Sequence, residues 1–189
     1  MRDIDVRISL LKNVYSEFSD DTGTMVIEEF IAGDSRVDLA VVNGALHGYE
    51  IKSDSDTLGR LPAQITSYNS VFDYITLVAG GRHLSEAGNA CPTWWGIMSA
   101  TDTGNGVDLV AIREPYRNPN PDPVSIAWLL WRDEAIALLE DYGVRGVRRR
   151  TRGQLASIIA MSIPIPELQS RVRNQLRARS NWRPDAARM

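Results

Sequence analysis

Residues 36–68 read RVDLAVVNGALHGYEIKSDSDTLGRLPAQITSY, and the reading of this stretch decides the fold. Val37 to Val42 is an apolar run rich in β-branched residues, and Asn43-Gly44 after it is the strongest short-range hairpin signal. Leu46 to Ser53 is therefore its antiparallel partner. Pro62 suits the first turn of a helix, which Ile65, Tyr68, Phe72 and Ile75 continue at helical spacing. A two-residue loop at Asn43-Gly44 would put Asp38 on the face of Tyr49 and leave Glu50 on the other side. A three-residue loop puts the even-numbered residues of both strands on one face, with Asp38 near Gly48 or Glu50. The odd loop is expected, and Gly48 is expected to keep that face open beside the two acids.

The same periodicities extend outward. Ile4, Ile8, Leu11, Val14, Tyr15 and Phe18 have helical spacing and predict an amphipathic helix ending near Ser19-Asp20-Asp21. Met25 to Phe30 and Thr76 to Ala79 read as strands. Trp95 to Ala100 and Val107 to Arg113 bracket Thr103-Gly104-Asn105-Gly106 as a hairpin, with Trp94-Trp95 as packing residues. Helix, three strands, helix, strands is the order of an α/β sandwich with a mixed sheet flanked by helices. Pro115, Pro119, Pro121 and Pro123 make residues 114–123 a stiff connector. It separates a core at 1–113 from a helical C-terminal region at 124–189. There Val124 to Tyr142, Thr151 to Ser162 and a helix after Pro164 and Pro166 are expected, the last with Leu168, Val172 and Leu176 on one stripe.

Hydrophobic residues at 43% and charged residues at 24% are ordinary for a soluble globular protein. No stretch approaches a membrane span, and Met1-Arg2-Asp3-Ile4-Asp5 has no signal-peptide core, so a cytoplasmic location without membrane contact is expected. Cys91 is the single cysteine, and His47 and His83 stand far apart, which excludes a disulfide framework and a zinc site within the chain. Any metal must sit on oxygen ligands. The net charge of −3 conceals an asymmetry: residues 1–142 hold 10 basic against 22 acidic residues, while residues 143–189 hold 11 arginines against Glu167 and Asp185. Such a basic end is either the footprint of a polyanion binder or a solvated face that pairs with the acidic body.

Phosphodiester hydrolysis needs a hard cation on the phosphoryl oxygen, an activated water, and positive charge where the oxyanion develops. Carboxylates on neighbouring strands can hold Mg²⁺ or Mn²⁺ while leaving waters in its shell. Asp38 and Glu50 are the candidate carboxylates, and Lys52 leaves the same face of its strand as Glu50. Lysine usage supports Lys52: the chain has 19 arginines and two lysines, Lys12 and Lys52, so positions that need charge alone are filled by arginine. The tripeptide Glu50-Ile51-Lys52 is a weak signal by itself. It gains from Asp38 on the preceding strand and from Gln64 and Tyr68, four apart on the next helix.

Asp38 with Glu50-Ile51-Lys52 resembles the PD-(D/E)XK nuclease superfamily, and Gln64 and Tyr68 resemble the glutamine and tyrosine of its RecB-type branch. The resemblance covers roughly residues 3–113, with Val37 standing where the name-giving proline would be. It implies a restriction-endonuclease-like fold and an Mg²⁺-dependent phosphodiesterase, deoxyribonuclease-like, that leaves 5′-phosphates. RNA stays open as a substrate beside DNA. Many members add an acid from an earlier element: Glu29 is preferred to Glu28 as a further metal ligand, against the alternative of a solvated strand-end carboxylate. Gln64 and Tyr68 either support nucleic acid or satisfy each other beneath a loop. Arg148, Arg149, Arg150 and Arg152 are candidate contacts to a nucleic-acid backbone. The alternatives for the basic helices are homodimerisation through the stripe at 168, 172 and 176, or docking of a partner protein. The competing class is a non-catalytic nucleic-acid-binding or adaptor module on the same fold.

Overall fold

In the computed structural model, which describes residues 2–18 and 23–179, the chain runs α1 (Asp3–Glu17), β1 (Met25–Ala32), β2 (Ser35–Val42), β3 (Leu46–Lys52), α2 (Leu61–Asn69), β4 (Tyr74–Gly80), α3 (Leu84–Ala90), β5 (Gly96–Asp102) and β6 (Val107–Arg113). Helices α4 (Pro123–Ala127), α5 (Arg132–Asp141), α6 (Arg152–Ser162) and α7 (Ile165–Ala178) follow, with a 3-10 turn at Val147–Arg149. The helix end expected at Ser19-Asp20-Asp21 lies outside the described residues. The strands form one mixed sheet in sequence order. β1, β2 and β3 are an antiparallel meander, β4 and β5 continue parallel to β3, and β6 returns antiparallel.

Each sheet face carries its own apolar core. Under α1 lie Leu39, Val41, Tyr49, Ile51 and Val78, meeting Val6, Leu10 and Val14 of the helix. The helix is rotated from the reading given by its sequence: Val6, Leu10 and Val14 are buried, while Ile4, Ile8 and Tyr15 are exposed. Two apolar stripes share this helix, and only packing chooses between them. The other face buries Phe30, Val37, Ala40, Tyr68, Phe72 and Leu77, and the same cluster runs on through Leu130, Leu139, Leu155 and Ile159 to Leu168, Val172 and Leu176. The stripe at 168, 172 and 176 is thus covered by the chain's own core. Residues 114–123 are tied down as well, since Tyr116 N–H donates to Trp94, Asn118 N–H to Asp73 and Asp122 N–H to Ser70, all at 2.8–2.9 Å.

Three elements differ from expectation. α2 stops at Asn69 rather than running to Ile75, because the Asn118 amide takes the carbonyls of Asn69 at 2.8 Å and Phe72 at 2.9 Å while Ile75 enters β4. The helix expected over Val124 to Tyr142 is broken. Glu134 accepts the Trp131 N–H at 2.7 Å and so caps a new start for α5. α3 carries Ser85, Gly88 and Asn89, poor helix formers that hid it.

Asp73 links sheet and C-terminal helices. It is 2% exposed and accepts the Leu46 N–H at 2.8 Å, the Gln169 amide at 2.7 Å and Arg173 at 3.1 Å. Asp73→Asn keeps the shape, loses charge-assisted bonds and is expected to cost about 2 kcal/mol in chemical denaturation. An unchanged unfolding midpoint would remove Asp73 as the tie.

Candidate active site

The hairpin closes through three residues: the ladder pairs Val42 with Leu46 and continues to Leu39 with Tyr49, as the odd loop requires. Beyond Leu39 the backbone ladder stops. The Asp38 side chain fills the gap, its Oδ2 accepting the Ile51 N–H at 2.7 Å. Across β1, Glu29 has φ 56°, a left-handed conformation uncommon for a residue with a side chain. Val37 and Ala40 both face the core beneath α2, so the alternation of β2 breaks between them. The two central strands part at the point where the chain places its acids.

Glu50 and Lys52 are 2% and 3% exposed. The Lys52 ammonium donates to Glu50 Oε1 at 2.5 Å, and Gln64 Nε2 donates to the same oxygen at 2.5 Å. The Tyr68 hydroxyl reaches Glu50 Oε2 at 2.7 Å and the Arg36 carbonyl at 2.8 Å, so its single proton is shared between two acceptors. Burial, then the Glu50 charge beside it, push the Tyr68 hydroxyl pKa far up. Tyr68 is fully buried, with its hydroxyl against Glu50 and no exposed surface. Gln64 differs. Its Oε1 is buried without a hydrogen-bond partner, and the amide cannot flip because its Nε2 must face Glu50.

These groups border a cavity of about 550 Å³ whose wall includes Arg7, Glu29, Asp38, Glu50, Lys52 and Gln64. Burial first, and then the charge of Glu50, raise the Asp38 carboxyl to about 7, against the pull of the Ile51 N–H and Arg7. Arg7, on α1, went unnoticed in the sequence. Its guanidinium donates to Asp38 Oδ1 at 2.6 Å and to the Asp38 carbonyl at 3.0 Å, and pairs with Glu29 at 3.0 Å. Burial works against that charge, but Asp38, Asp3 and Glu29 outweigh it and hold its pKa above the usual value. Only its four-residue spacing from Asp3, with which it pairs at 3.4 Å, marked it locally.

Glu29 lines the cavity but is held by Arg7 and by Arg36, the latter at 2.6 Å. Among the described residues no three His, Cys, Asp or Glu side chains stand close enough to share one metal ion. Two carboxylates and an orphaned amide oxygen are nonetheless all hard donors, and they suit a cation that keeps most of its water shell. His47 does not belong to this set: burial lowers its pKa to about 3, and it stacks on Tyr49 at 4.2 Å.

Gly48 does not keep a site open. An added Cβ would come within 2.6 Å of Ile75 Cδ1 and 3.0 Å of Phe72 Cε1, so its hydrogen makes room for core packing under α2. Gly48→Ala is expected to cost about 1–3 kcal/mol in thermal or chemical unfolding through overpacking. A neutral result would show that Ile75 and Phe72 can give way.

The arginines divide. Arg152 donates to the Trp128 and Leu130 carbonyls at 2.7 and 3.2 Å and lies over the Trp128 ring, a brace between α4 and α6 rather than a free contact to nucleic acid. Arg148 pairs with Glu140 at 2.7 Å, Arg173 with Asp73 at 3.1 Å and Arg179 with Glu134 at 2.5 Å. With Arg171, which meets Asp141 at 3.2 Å, four of the eleven C-terminal arginines thus pair, among the described residues, with acids of the first 142 residues. Arg149 and Arg150 are exposed, and Arg145, Arg148 and Arg149 border a second cavity of about 720 Å³.

Fold and site together define a mixed α/β protein with a buried carboxylate–lysine centre at the split between two sheet strands. A family model described as Bacteriophage P4 protein cII matches residues 1–184, and the chain belongs to that family. Protein cII of Enterobacteria phage P4 is 26% identical over 186 residues, spanning 96% of this chain and 70% of that protein. Among solved structures, SPO1766, a protein of unknown function from Silicibacter pomeroyi, is 19% identical with a TM-score of 0.44, covering 75% of this chain and 92% of its own. The Pyrococcus furiosus SfsA structure in complex with Ca²⁺ is 12% identical with a TM-score of 0.36, covering 60% of this chain and 64% of its own. Among the described residues no helix is long and apolar enough to cross a membrane.

Proposed function

We propose that this chain is a metal-dependent nuclease of the PD-(D/E)XK type that hydrolyses phosphodiester bonds of DNA. One observation carries the reading: Asp38, Glu50 and Lys52, from two strands, line a single cavity at the point where those strands part. Asp38 and Glu50 would hold Mg²⁺ or Mn²⁺, and Lys52 would orient water or offset developing charge. The bound cation would supply Lewis-acid polarisation of the phosphoryl oxygen. Gln64 and Tyr68 fix the Glu50 carboxylate from behind, and Gln64 Oε1 remains as an acceptor for a water or hydroxyl. Exposed Arg149 and Arg150 would add sequence-independent attraction for a phosphate backbone.

A second reading has its own support. Each acid already has an internal cation, Arg7 on Asp38 and Lys52 on Glu50, which is the state a non-catalytic adaptor would keep. Incubation of the purified chain with plasmid and single-stranded DNA in Mg²⁺ or Mn²⁺, and in chelator, separates the two. Cleavage that needs the metal supports the nuclease. Binding of DNA without any cleavage in either metal supports the adaptor.

A further inference from the structure

We infer that Arg7 is the resident counter-cation of the cavity, and that a divalent ion must compete with the Arg7 guanidinium for Asp38. This rests on the nuclease reading above and adds a regulation to the same site. Asp38 has two oxygens to offer. Oδ2 is committed to the Ile51 N–H at 2.7 Å, a bond that closes the gap between β2 and β3. Oδ2 keeps a second lone pair, but Oδ1 is the oxygen not tied to the backbone of β3, and Arg7 Nη2 occupies it at 2.6 Å. The second arm of the same guanidinium holds the Asp38 carbonyl at 3.0 Å, which locks the fork against that residue.

Arg7 is no stray surface charge. Its side chain is 12% exposed, and Val6 and Leu10 on either side in the helix are buried against the sheet. It also has somewhere to go: Glu29 at 3.0 Å, Asp3 at 3.4 Å and Glu28 at 3.9 Å surround it, so it can leave Asp38 by a side-chain rotation and stay paired. Two positive groups cannot both sit within bonding distance of one carboxylate oxygen in a buried site without strong repulsion. Metal loading and the Arg7–Asp38 bond therefore compete for the one carboxylate. The apparent metal affinity is then the intrinsic one reduced by the small fraction of molecules in which Arg7 has left.

The experiment is a calorimetric titration of Mn²⁺ alone into the full chain, its Arg7→Ala and Arg7→Lys variants, and Asp38→Ala as the site control. Removing the competitor is expected to tighten Mn²⁺ binding by about tenfold or more in Arg7→Ala, with Arg7→Lys in between. A second measurement needs no variant: modification of Arg7 by phenylglyoxal, read by mass spectrometry, should increase as Mn²⁺ saturates the chain. Equal Mn²⁺ affinity with and without Arg7, or Arg7 labelling indifferent to Mn²⁺, overturns the role of Arg7 and leaves the nuclease reading standing if uptake still needs Asp38. No uptake that depends on Asp38 in any form of the chain overturns both.

Discussion

Lys52→Met is expected to lower metal-dependent cleavage by about a hundred- to a thousandfold, the usual loss when one preorganised charge-stabilising group is removed from an active site. The substitution also leaves Glu50 buried without its cation, and breaking one partner of a buried pair costs about 3–5 kcal/mol of stability. Activity loss alone would therefore be ambiguous. The double variant Lys52→Met with Glu50→Gln separates the two effects. It removes both charges and keeps amide and hydroxyl partners for the side chain at 50, since Gln64 and Tyr68 approach it from α2. Stability should return toward that of the parent chain while cleavage stays lost. The second substitution should add little further loss, because groups that act as a unit do not add. Measured rates with supercoiled plasmid and denaturation midpoints for the parent and three variants complete the cycle. A double variant that recovers cleavage along with stability would reduce Lys52 and Glu50 to a folding pair.

How much of this was legible depended on whether the signal was local. The three-residue loop follows from strand parity over residues 37–52 and is present in the hairpin, whereas Asp38 reaches the cavity it shares with Glu50 at the place where the alternation of β2 breaks. Parity could not tell that Gly48 lies under Phe72 and Ile75, because that contact is made by a different layer of the fold. Arg7 sits 31 residues from Asp38 in sequence, and its spacing from Asp3 marks a helix-surface pair, not a partner for Asp38. Gln64 and Tyr68 were readable as a pair, but their direction toward Glu50 was not. Charge counting found the basic C-terminal third, yet it could not show that Arg148, Arg173 and Arg179 meet Glu140, Asp73 and Glu134. Net charge per segment describes the long-range field and not the short-range pairing.

Asp38→Asn is expected to make the metal-free chain more stable at pH 8 than its parent, and the gain should vanish near pH 4. In the folded chain the Asp38 carboxyl titrates at about 7, against an ordinary value of 3.8, because burial and the Glu50 charge favour its neutral form. Between those two values the folded state holds a proton that the unfolded state has released. Unfolding stability therefore falls as pH rises through that window, with a slope that approaches the single-proton limit of about 1.4 kcal/mol per pH unit. Below the window both states are protonated and no penalty exists; above about 7 both are ionised and the penalty is complete. An asparagine cannot ionise, so its Oδ1 can keep the Ile51 N–H bond while its amide N–H turns Arg7 toward Glu29 and Asp3, and the slope contributed by position 38 disappears. Denaturant titrations in chelator at pH 4, 6 and 8 measure this directly. Parallel pH profiles for the two chains would mean that Arg7 already holds Asp38 ionised throughout. If the asparagine chain is instead the more stable one at pH 8 and fails to cleave, then the acid that weakens the fold is the acid the site requires. Strain at Glu29 and like charge at Asp38 and Glu50 would then be costs retained for chemistry, since neither improves the packing of the sheet.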